Sequence, residues 1–235
     1  MRLHFPERLK KPGYRYLAAI ALIAIVLTSP RWATAALHRL TYFHVRKIEI
    51  RGTRYLQPED VVSRLRVDTL RSIVDDVAPL EARLRRHPQI ADVHITRRYP
   101  GTLVVTIREN PPVALVPAGD GMQAYDSAGR ALPIDPTRAG LDLPVLTAPD
   151  RGALRLLGAL RTTGANVYAR ISEVSPEGTD LVFTLMPSTR VRANAGVAAD
   201  RFQDIFPVES DLARRNERVA ELDLRYRDQV VARLQ

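Results

Sequence analysis

"RRYPGTLVVTIRENPPVAL", residues 97–115, is the stretch on which the fold turns. Leu103, Val105 and Ile107 alternate with Val104, Thr106 and Arg108, which predicts a β-strand with one mainly apolar face. Pro100-Gly101 before it makes a tight turn. Pro111-Pro112 after it fixes the exit, because each proline pins its own φ and biases the preceding residue toward extended geometry. The residues just upstream, "ADVHITRRY" (91–99), alternate as well, with Val93, Ile95 and Tyr99 expected inward, so the two runs form a hairpin. The quoted stretch carries no catalytic side chain. Its bracketing prolines point to a geometric task, ending one domain and aiming the next.

Further upstream, "VRKIEIRG" (45–52) predicts a strand with Ile48 and Ile50 on one face and Gly52 at its end. "PEDVVSRLR" (58–66) predicts a helix: Pro58 suits the first position, Glu59 and Asp60 favour the positive end of the macrodipole, and Val61 and Leu65 share a face. "PLEARLRRHP" (79–88) predicts a second, with Leu80 and Leu84 aligned, Glu81 four residues before Arg85, and Pro88 as the stop. The order is strand, helix, helix, strand, strand.

Downstream, "VALV", "MQAYDSAGRALPI" and "LPVL" predict short strands with a turn at Ser127-Ala128-Gly129, and "RGALRLLGALRTTG" a helix closed by Gly164. "ARISEVSPEGTDLVFTLMPSTRVRA" gives three strands joined at Pro176-Glu177-Gly178 and Pro187-Ser188-Thr189. "VAADRFQDIF" puts Ala198, Phe202 and Phe206 on one helical stripe, a core pattern. "VAELDLRYRDQVVARL" closes the chain as a hairpin, with Leu222, Leu224 and Tyr226 on one face.

The N-terminal region has a different character. From Leu17 to Leu27 no side chain is polar, and a helix from Tyr16 to Trp32 rises roughly 24 Å, slightly short of a ~30 Å hydrocarbon core. Arg2, Arg8, Lys10, Lys11 and Arg15 stand before it against Glu7 alone, which keeps the N-terminus cytoplasmic by the positive-inside tendency. Ala33-Thr34-Ala35 also fits a signal-peptidase pattern, and a buried helix of a soluble protein is a third reading. The basic leader and the boundary aromatics Tyr16 and Trp32 favour an uncleaved anchor; anchor and cleaved leader alike export residues 38 onward. The expected layout is a tail at 1–15, a transmembrane anchor at 16–37, an α+β domain at 43–111, and a second domain at 112–235. That second domain is expected to be mixed α/β with a mainly antiparallel sheet.

Composition narrows the chemistry. There is no cysteine, hence no disulfide framework, thiolate metal site or thiol nucleophile. The net charge of +9 is concentrated partly in the leader, and all but three of the 35 basic residues are arginine. A mildly basic solvated surface accounts for this without a nucleic-acid footprint. His4, His38, His44, His87 and His94 show no metal-ligand spacing and are expected on the surface or on strand faces. Asp75-Asp76 is expected to cap or be solvated. No P-loop, G-x-S-x-G or G-x-G-x-x-G occurs, so no catalytic, cofactor-binding or metal residue is assigned and no enzyme activity is expected.

The β-α-α-β-β order, with "I-x-I-x-G" in its first strand, "HPQIADVHITRRYPGTLVVTIRENPPVA" at its end and a single anchor upstream, resembles the POTRA domain of the FtsQ/DivIB family of bacterial cell-division proteins. Glu109, Pro111, Pro112, Val113 and Ala114 match the family's acid and proline before Val-Ala, and "D-L-R-Y" at 223–226 resembles its terminal strand pair. Arg227-Asp228-Gln229 stands where the family often has a small, glycine-containing turn. The resemblance implies a non-enzymatic bitopic scaffold in the cell inner membrane at the division septum. It implies FtsB and FtsL as partners of the exported part, with FtsK, FtsW and FtsI beyond them, and control of septal peptidoglycan synthesis. It places partner binding on Arg225, Tyr226, Val230, Val231 and Leu234. Two other function classes compete: a POTRA-containing outer-membrane assembly or export factor, and a basic exported protein binding nucleic acid or anionic lipid, which would show strongly salt-dependent binding.

Overall fold

The computed structural model describes residues 43–68, 72–119, 121–227 and 229–234, together with Ile20, Ala21, Ile23 and Ala24. The expected tail, and the expected anchor apart from those four helical, exposed residues, lie outside the described residues. No helix among the described residues is long and apolar enough to cross a membrane.

The first unit runs β1 (Lys47–Arg51), α1 (Pro58–Leu65), α2 (Ala78–Leu84), β2 (Ile90–Arg98) and β3 (Thr102–Glu109). Its sheet has the order β1-β3-β2 among the described residues, β1 parallel and β2 antiparallel to the central β3. Val61 and Leu65 of α1 and Leu80 and Leu84 of α2 pack on Val93, Ile95, Leu103, Val105 and Ile107. One apolar face per strand and one stripe per helix thus meet in a single core, as the periodicity requires. Gly52 (φ +82°) ends β1 because a Cβ there would lie 2.2 Å from the Ile107 carbonyl oxygen. Asp76 accepts from the Ala78 amide (3.0 Å) and Asp75 from the Ser72 amide (3.2 Å), so both tie the loop before α2, whose N-cap position is Val77 without a side-chain cap.

The second unit runs β4 (Ala114–Ala118), β5 (Gly121–Tyr125), β6 (Ala131–Leu132), β7 (Val145–Leu146), α3 (Arg151–Thr163), α4 (Ala165–Tyr168), β8 (Ile171–Glu177), β9 (Asp180–Leu185) and β10 (Thr189–Asn194). A 3₁₀ helix (Ala199–Asp204), α5 (Ile205–Arg214), β11 (Val219–Asp223) and β12 (Val231–Leu234) complete it. Among the described residues its strands form one sheet, β12-β11-β10-β9-β8-β7-β4-β5-β6, with more antiparallel than parallel pairings. Leu154, Leu157 and Leu160 of α3 lie in the same core as Phe183 and Phe202, whose rings meet edge to face at 5.1 Å. The Asp126 carboxylate organises the 127–129 turn by accepting from the Ala128 and Arg130 amides.

Several local expectations are corrected. Tyr99 is 61% exposed: β2 ends at Arg98, and the ring sits in the turn, edge-on to Phe43 at 6.4 Å. Tyr226 leaves the face of Leu222 and Leu224 because β11 ends at Asp223 and the alternation stops there. Ala198 is exposed ahead of a 3₁₀ start, whose tighter winding breaks the predicted stripe while leaving Phe202 buried. His87 is buried rather than on the surface. Gly164 does close α3, but at φ −132° rather than in a left-handed cap, and α4 follows at once.

Candidate partner-binding edge

β12 is the end strand of the large sheet, paired on one side with β11 and on the other with nothing among the described residues. An end strand offers unpaired N–H and C=O groups along its free side. Val230 and Ala232 pack toward the core while Val231 and Arg233 face solvent. Tyr226 (48%), Val231 (43%) and Leu234 (44%) are large apolar side chains left exposed together at this end of the molecule. Four of the five expected contact residues therefore sit on or beside the free strand.

Arg225 is placed differently. Its guanidinium binds Asp223 (2.6 Å) and Asp180 (2.7 Å), and Asp180 in turn approaches Arg192, which also meets Glu177 and Glu221. This network ties β9, β10 and β11 together on the face that carries Arg225. The Arg225 hydrogen bonds hold the Asp223 carboxyl below its ordinary range. The D-x-R spacing made the local half of the network visible in the sequence; Asp180, forty-five residues away, gave no such signal.

The missed residue is Arg201. Its Nη2 donates to the carbonyls of Tyr226 (3.1 Å) and Gln229 (3.3 Å), while Nη1 binds Asp204 (2.9 Å). A guanidinium from the 3₁₀ helix thus does what a glycine turn does elsewhere: it fixes the connection between β11 and β12. Nothing in local spacing connects residue 201 with residue 226.

At the other end of the quoted stretch, Glu109 accepts from the amides of Arg54 (2.8 Å), Tyr55 (3.0 Å) and Leu56 (3.0 Å), pinning the loop before α1 to the end of β3. Asn110 donates through its amide nitrogens to Gln89 and Pro88 carbonyls. Arg161 donates to the Pro112 carbonyl and the Tyr168 hydroxyl to that of Val113 (2.9 Å). Burial pushes the Tyr168 hydroxyl up to about 12. The Pro-Pro exit is therefore clamped by side chains of the second unit. Among the described residues no group of three or more His, Asp and Glu is arranged to hold a metal ion.

Residues 43–110 match the family model described as the POTRA domain of FtsQ type, so the first unit makes this a POTRA-containing protein. A cell division protein FtsQ from Anaeromyxobacter sp. (strain K) is 33% identical, the match covering 80% of this chain and 70% of the relative. FtsQ of Myxococcus fulvus is 29% identical over 78% and 72%, respectively, and FtsQ of Rhodothermus marinus 26% over 95% and 89%. The solved major extracytoplasmic domain of DivIB from Geobacillus stearothermophilus, in its trans isomer, aligns at 21% identity and TM-score 0.32, over 44% of this chain and 93% of that one. The chain belongs to the FtsQ family of cell division proteins.

Proposed function

We propose that this protein is a non-enzymatic, bitopic scaffold of the division septum, anchored in the inner membrane by residues 16–37, and that it takes up FtsB, with FtsL, by strand addition to β12. The observation that carries this is the free edge of β12, flanked by exposed Tyr226, Val231 and Leu234. Main-chain pairing supplies affinity in such an addition, and alternate side chains supply specificity. Through that complex the scaffold would control septal peptidoglycan synthesis by FtsW and FtsI. The names of the relatives support cell division over outer-membrane assembly.

The test is in-cell photo-crosslinking from an unnatural residue at Val231, with the adduct identified by mass spectrometry. The expected product is an adduct with a small single-span coiled-coil protein. Absence of any adduct from a correctly exported chain would remove the edge from the mechanism.

A further inference from the structure

The joint between the two units is not closed. A cleft of about 810 Å³ lies there, lined from the first unit by Arg54, Tyr55, Arg64 and Gln89 and from the second by Arg161 and Tyr168. Its size falls within the ~300–1,000 Å³ usual for ligand sites and far exceeds what a single small ion fills. Tyr55 packs across the joint on the small cluster of Leu115, Ala124, Leu132 and Ile134, so this wall is formed by both units together.

Two features of the lining lack partners. The first is Gln89, only 1% exposed, whose Nε2 has no hydrogen-bond acceptor. Its backbone is fixed on both sides, the amide donating to His87 Nδ1 (3.3 Å) and the carbonyl accepting from the Asn110 amide (2.8 Å). Buried donors are nearly always paired, so an acceptor is wanting here, but Nε2 itself is closed off from the free volume of the cleft. The second is the guanidinium set. Arg138 has Asp135 at 3.5 Å, but Arg54, Arg64 and Arg161 have no carboxylate within ion-pair distance among the described residues. Arg54 stacks over Tyr55 at 5.2 Å, and Arg161 spends one arm on the Pro112 carbonyl, leaving the rest of its fork open. Asp60 and Asp142 also line the cleft. They exclude a densely charged anion such as a polyphosphate and favour a ligand whose negative groups are spaced along an otherwise neutral chain.

We propose that this cleft binds a carboxylate-bearing peptide segment of a partner protein, its carboxylate taken by Arg54, Arg64 and Arg161 and its backbone laid between Tyr55 and Tyr168. A carboxylate accepts in the bidentate fashion that guanidinium forks favour. The carboxylate comes either from acidic side chains or from a free C-terminus. The site is separate from β12 and stands whether or not that edge binds FtsB.

The full chain in detergent micelles is titrated, by fluorescence anisotropy, into fluorescein-labelled QEQQEQ hexapeptide with an amidated C-terminus, hexaglutamine with a free C-terminus, and amidated hexaglutamine. One or both carboxylate probes should bind while the amidated hexaglutamine does not, and the arm that binds identifies the carboxylate's source. Arg54→Gln with Arg64→Gln should weaken binding at least ten-fold. Arg151→Gln with Arg155→Gln, the same charge loss on exposed positions of α3 outside the cleft, should change it less than two-fold. No binding by either carboxylate probe, or equal losses in the two double variants, overturns the proposal.

Discussion

Glu109 is a single carboxylate accepting from three successive amides, and its removal leaves those donors unmet in a part-buried loop. Glu109→Ala should cost roughly 2–3 kcal/mol, the range for hydrogen bonds to a charged group, read as a lower urea midpoint at unchanged m-value. His87 is the residue whose role only burial reveals. Desolvation depresses its pKa below 6.5, Arg64 reinforces the shift, and Asp60 and Glu109 oppose it. Because the folded value is the lower one, the unfolded chain binds the proton first as pH falls. The stabilisation is therefore full above 6.5 and is lost as pH drops toward and through the folded value. Urea unfolding measured from about pH 7 to about pH 5 should show stability falling, and His87→Leu should flatten that slope.

Among the elements, β12 depends on its neighbours for orientation, and the proposed binding rests on its other side, unpaired among the described residues. Tyr226 is half exposed, so Tyr226→Ala should shift stability by no more than about 0.5 kcal/mol. The same change should reduce crosslinking from Val231 at least ~10-fold if the ring anchors the incoming strand. Arg201→Ala leaves every exposed side chain of the edge in place but frees the Tyr226 and Gln229 carbonyls. Amide exchange across β12 should then accelerate, as measured by mass spectrometry, with slower exchange restored in part by Arg201→Lys. An unchanged exchange rate would show that the turn holds itself.

For the whole molecule, the decisive contacts are those that hold the exit from β3 against the second unit. Tyr168→Phe removes one buried hydrogen bond, about 1 kcal/mol, and Arg161→Ala removes a second on the adjacent carbonyl. Small-angle scattering of the double variant should show a broader distribution of interdomain distances than the parent, with each unit's own secondary structure retained by circular dichroism.

Local patterns in the chain set the order and type of the elements. Alternation in 102–109 and the i, i+4 pairs Val61–Leu65 and Leu80–Leu84 are local patterns, and local patterns dictate which face is apolar. They also marked the terminal strand, which lies at the end of the large sheet among the described residues. Folding alone put Tyr99 and Tyr226 in solvent, since β2 stops one residue before the first and β11 three before the second, which releases both from the pleat. Only it brought Arg201 to Tyr226, Asp180 to Arg225 and Arg161 to Pro112. Those pairings join residues tens of positions apart, where periodicity carries no information and chain folding alone sets the distance.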